Sequence, residues 1–125
     1  MGADVRKAEE THRRLIELGA RATRVAKMLP RTDEGRYLSQ QLVRCGMAGA
    51  ANYAEARAAE SRKDFIHKLR IVLKELNETQ SWLRQIVANG HFSRDKMAAI
   101  IAENQELCRI IASSIKTARG ASGPI

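Results

Sequence analysis

An all-α fold, an up-down-up-down antiparallel four-helix bundle, is what this sequence predicts, and three observations carry the prediction. Only Pro30 and Pro124 interrupt the 125 residues. Aromatic residues make up 4% of the chain, while Ala, Leu, Glu, Lys and Arg dominate, which is poor material for a sheet. Four segments repeat apolar residues at alternating steps of three and four, the helical signature.

The first segment, residues 4–29, carries Val5, Ala8, His12, Leu15, Gly19, Ala22, Ala26 and Leu29 along one seam and stops at Pro30. Thr32 or Asp33 caps the second, residues 33–60, whose seam runs through Leu38, Leu42, Cys45, Gly49, Tyr53 and Ala56. Ser61, followed three residues later by Asp64, is a capping arrangement for the third, residues 62–88. Its inward residues are Phe65, Leu69, Val72, Leu76, Leu83 and Ile86, and the turn pair Asn89-Gly90 ends it. Ser93 or Asp95 opens the fourth, residues 94–119, with Met97, Ile101, Leu107, Cys108, Ile111 and Ile115 inward. Residues 1–120 form one domain, and 121–125 are a frayed tail.

Helices of roughly 25 residues, each about 35–40 Å long, joined by short connections, fold back on one another. Such hairpins place Arg44 near Glu78, Gly49 near Val72, and His12 beside Asn52. Two helices carry more apolar surface than one core can use. The stretch Cys45–Ala54 is small or apolar all round, so the second helix is expected to be covered on several sides. On the third helix Ile71 and Trp82 fall together opposite the main seam, with Glu75 and Glu78 beside them. Read together, these features predict a subunit interface and a closed homo-oligomer.

Composition excludes several classes. The longest uncharged run, Cys45–Ala54, is far too short to span a bilayer, so no membrane partner is expected. The N-terminus has no apolar stretch of signal-peptide type, and Arg6 stands where a myristoylation signal wants Ser or Thr. Two cysteines, Cys45 and Cys108, make neither a disulfide framework nor a zinc cluster, and a reduced cytoplasmic protein is expected.

No enzyme is expected. Glu9-x-x-His12 and Asp64-x-x-His67 resemble the carboxylate–histidine pairs of di-iron bundles, but the fourth helix presents Ala112–Lys116 at that level, with no acid. Asp64 is better explained by the cap, so no metal or other cofactor is expected. Cysteines on inward seams behave as small hydrophobes whose pKa rises. No glycine-rich phosphate loop and no GxSxG element is present. Mid-helix Gly46 and Gly49 point to close helix approach.

Gln41–Gly46, Ala51–Ala56, Ser61–Leu69, Leu73–Thr79 and Trp82-Leu83 lie in order at the spacing of a known group. These blocks resemble the bacterial four helix bundle protein family, also named for proteins encoded in intervening sequences of large-subunit ribosomal RNA genes. The chain departs from the family pattern at Gly49-Ala50 and at Ala54, often basic in relatives. The resemblance implies a homopentamer packed as a basic ring. The accessory protein of diversity-generating retroelements has a similar fold and binds nucleic acid together with a reverse transcriptase, which makes RNA or DNA the implied partner. The family-matching polar residues Arg44, Asn52, Glu55, Glu75 and Glu78 are read as structural, with Arg44 in a buried pair with Glu78 or Glu75.

Charge agrees with a polyanionic partner. The net charge is +8, from 22 Lys and Arg against 14 Asp and Glu. Arg21, Arg24, Lys27 and Arg31 advance by threes and fours with no acid between Glu17 and Asp33, and Arg13 and Arg14 extend the row upstream. Such a row neutralises phosphates with little sequence preference, and without aromatic platforms it does not read single-stranded bases. The plain alternative for the row is a solvated helix face. The alternative for the whole protein is an adaptor that recruits a protein partner, such as a polymerase or reverse transcriptase.

Overall fold

The computed structural model describes residues 2–120, which form α1 (Gly2–Lys27), α2 (Asp33–Arg57), α3 (Arg62–Ala88) and α4 (Arg94–Gly120), with no strand among the described residues. The expected tail, 121–125, lies outside the described residues.

Each boundary has a local cause. α1 ends two residues before the expected limit because Met28 and Leu29 donate to Val25 and Ala26, three residues back, and Pro30 has no N–H to continue the ladder. The Thr32 hydroxyl accepts from the Gly35 N–H at 3.0 Å and starts α2. α2 stops at Arg57 rather than residue 60, since Ala58 and Ala59 turn back on carbonyls three residues earlier. Ser61 caps α3 by accepting from the Asp64 N–H at 3.0 Å. After α3 the chain reverses at Gly90, whose φ of 79° is the left-handed conformation that glycine adopts without strain. Ser93 accepts from the Lys96 N–H at 3.1 Å at the start of α4.

α1 packs on α2 and α4, and α3 packs on the same two helices, so α1 and α3 occupy diagonal corners of the bundle. Glu9 meets Arg57, and the Gly19 position faces Gly46 and Met47, which sets α1 and α2 antiparallel. By the same register Val5 reaches the level of Ser61, past the last turn of α2, and is 48% exposed rather than on the seam. Leu15, Leu42, Leu69, Leu76, Leu83, Leu107 and Ile111 fill the core. All six expected seam residues of α2 are buried. In α3 the inward residue of the first turn is Ile66 instead of Phe65, which is half-buried.

Met97, Leu107, Ile111 and Ile115 of α4 face the core as expected, but Ile100 and Asn104 take the places expected of Ile101 and Cys108, which flank it. The cause is polar: Asn104 is fully buried and donates at 2.9 Å to the Leu76 carbonyl and to Gln80 Oε1. Glu34 clasps the far end, lying 2.8 Å from His91 Nε2 and accepting from Asn89 Nδ2 at 2.6 Å.

Candidate nucleic-acid interface

The six cations of the expected phosphate row divide into two groups. Arg13 donates twice to Glu10 on its own helix, both at 2.8 Å. Arg14 forks across the α1–α4 seam onto Glu103, at 2.9 and 2.7 Å, with side chains only 25% and 22% exposed. That fork holds the Glu103 carboxyl below the usual carboxylate range and raises the guanidinium pKa in turn. Arg14 is therefore a structural tie rather than a member of an open row. Arg21, Arg24, Lys27 and Arg31 form no ion pair among the described residues. Arg21 is half-buried, and the others are exposed. Arg31 stands beyond the helix, in the turn, where its carbonyl accepts from Arg36.

The polar cluster on α2 and α3 is a connected network. Arg44 forms ion pairs with Glu78 and, at 3.5 Å, with Glu75, and it donates to Gln41 at 3.0 Å. Its side chain is 50% exposed, so the expected buried pair is a rim pair instead. Glu75 carries the buried end of it: its Oε1 has the ionic contact but no hydrogen bond. Burial pushes the Glu78 carboxyl up, and hydrogen bonds from Trp82 and Arg44 outweigh it and leave the pKa lowered. Trp82 Nε1 donates to Glu78 at 3.3 Å, and the indole meets Tyr37 edge-to-face at 5.6 Å. Trp82 and Ile71 are thus half-buried within the subunit rather than an open stripe.

Gly49 faces Leu15 and Leu76, the latter one turn from Val72 on the same face of α3, in keeping with the expected hairpin register. Asn52 donates back to the Ala48 carbonyl at 2.9 Å, while His12 packs its ring against Tyr53 at 5.7 Å. Glu55 accepts from Lys68 at 2.7 Å and ties α2 to α3.

The surplus apolar surface lies elsewhere. Ile16 and Met47 are 56% and 53% exposed and face a groove of about 640 Å³ between α1 and α2. The buried Gly19 and half-buried Ala50 form its floor, and Ala20, Ala51, Thr23, Arg24 and Lys27 line it nearer the solvent. The all-round apolar character of α2 signalled half of this groove. Ile16 was the missing signal, since it stands off the main seam but in line with Ala20 and Thr23.

Burial raises the pKa of both Cys45 and Cys108. Among the described residues no three His, Cys, Asp or Glu side chains converge as metal ligands, and no helix is long and apolar enough to cross a membrane.

Fold and surface together define an antiparallel four-helix bundle with a basic helix face beside an apolar groove. The chain belongs to the 23S rRNA-intervening sequence protein family, whose profile matches residues 9–113. It is similar to a crystal structure of a protein of unknown function from the S23 ribosomal protein family of Bacteroides thetaiotaomicron VPI-5482. That likeness has a TM-score of 0.80 and 34% sequence identity, covering 86% of this chain and 99% of the other. No curated protein matches this sequence.

Proposed function

We propose that this protein is a non-enzymatic, cytoplasmic homo-oligomer that binds RNA or DNA through backbone phosphates without strong sequence preference. The observation that carries the reading is the row Arg21, Arg24 and Lys27 with Arg31, a run with no acid between Glu17 and Asp33 and no ion-pair partner among the described residues. Unmatched cations spaced along a helix release counterions when they meet phosphates. The family name, drawn from an intervening sequence of 23S rRNA, accords with a nucleic-acid setting.

Self-association is supported by the α1–α2 groove. Large apolar side chains on two adjacent helices, with a floor of small residues, are suited to a second copy packed closely against them. A ring of five follows from the family resemblance, and repetition around it raises avidity without stronger single contacts. The groove also favours one alternative, an adaptor whose groove seats a helix of a polymerase or another protein.

Binding of duplex and single-stranded RNA and DNA against ionic strength separates the two. A steep salt dependence, reduced by changing Arg21, Arg24 and Lys27 together to Gln, supports the nucleic-acid reading. No binding at about 50 mM salt favours the adaptor.

A further inference from the structure

The outer face of α3, opposite its apolar seam, carries a second row of cations. Positions 63, 67, 70, 74, 77, 81 and 84 alternate in steps of four and three and so share one helix face. They hold Lys63, His67, Arg70, Lys74, Asn77, Ser81 and Arg84, every one exposed and none acidic. The acids of α3 all stand off this line. Glu75 and Glu78 are turned to Arg44 on α2. Lys68, also off the line, is the α3 cation that is neutralised, by Glu55. Among the described residues none of the row's Lys or Arg side chains has an ion-pair partner.

We propose that Lys63, Arg70, Lys74 and Arg84 form a second phosphate-binding surface for duplex nucleic acid, on the corner of the bundle diagonal to the α1 row. The proposal rests on the nucleic-acid reading above and adds a site to it. At 1.5 Å per residue the row is about 32 Å long, close to one turn of a duplex. Asn77 and Ser81 continue the line with neutral hydrogen-bonding groups, and it carries no aromatic residue, so its ligand is the backbone rather than the bases. Geometry gives this face a particular advantage. Arg24 and Lys27 edge the apolar groove, so a second copy seated there partly covers the α1 row. α3 is diagonal to α1 rather than its neighbour, and no α3 residue lines that groove. With both rows in use, one subunit contacts two segments of nucleic acid on opposite sides.

The test compares the full-length protein with a variant carrying Lys63→Gln, Arg70→Gln and Lys74→Gln. Affinity for a short mixed-sequence duplex DNA is measured between about 50 and 200 mM salt. These are exposed positions, and an unchanged thermal melt by circular dichroism verifies that the variant folds. The expected result is a log–log salt slope lowered by about three, with weaker binding at every salt concentration. In parallel, bound duplex is expected to protect Lys63 and Lys74 of the wild-type protein from amine acetylation read by mass spectrometry. A variant with wild-type affinity and slope, or Lys63 and Lys74 acetylated equally with and without duplex, overturns the α3 site while leaving the α1 row intact. A wild-type protein that binds no duplex even at about 50 mM salt overturns the broader reading and this one with it.

Discussion

Arg14 and Arg24 stand on the same helix with different tasks. Arg14 is spent on Glu103 across the α1–α4 seam, while Arg24 has no acid partner among the described residues. Arg14→Ala is expected to destabilise the bundle by about 1–2 kcal/mol, between an exposed pair and a buried one. It leaves the salt slope of nucleic-acid binding unchanged, so a melt and a binding titration on one variant separate the two roles. Arg44 is half-exposed, so Arg44→Ala is expected to cost only about 1 kcal/mol in a denaturant titration, less than a buried pair. Acid dependence follows from Glu103. The Arg14 hydrogen bond lowers its folded pKa, so the stabilisation is complete above the ordinary carboxylate value of about 4.3 and fades as pH falls through the lower folded value. Glu103→Gln is expected to flatten the fall of Tm below about pH 4.5 and to lower Tm at neutral pH.

Among the elements, α1 and α2 approach each other closely at Gly46. A Cβ added at Gly46 lies 2.7 Å from the Ala22 Cβ, which has no flexible end to move. A Cβ at Gly49 finds Leu15 and Leu76 at 3.5 and 3.6 Å, ordinary contact. Gly46→Ala is therefore expected to destabilise by about 1–3 kcal/mol through overpacking, and Gly49→Ala to be neutral or to stabilise by up to about 1 kcal/mol through helix propensity. Thermal melts of the two variants check this directly. Helix number, caps and the α2 seam were legible in the sequence because periodicity, Thr32, Ser61 and Gly90 are local signals. The inward place of Asn104 on α4 was not, since a polar side chain turns inward only once Leu76 and Gln80 on another helix supply its partners. Arg14–Glu103 was hidden for the same reason: no hairpin joins α1 to α4, so no turn sets their register. Of the site, the α1 row was readable as an acid-free run. The apolar groove was readable only from α2, and the α3 row went unread behind the seam it shares a helix with.

At the scale of the whole molecule, the exposed Ile16 and Met47 and the small residues lining the groove between them are what a lone subunit leaves uncovered. Of the stripe expected at Ile71 and Trp82, Trp82 meets Tyr37 and Glu78 within the chain. In the proposed assembly, copies joined side by side through the groove leave the α3 faces outward. Met47→Glu places a carboxylate in that contact and is expected to dissociate the assembly without unfolding the subunit, because the side chain already reaches solvent. Sedimentation equilibrium of the wild-type protein at micromolar concentration is the most direct measurement of all. A discrete species at a whole multiple of the 13.9 kDa subunit mass, shifted toward the subunit by Met47→Glu, is the expected result. A wild-type protein that sediments as a single 13.9 kDa species contradicts it.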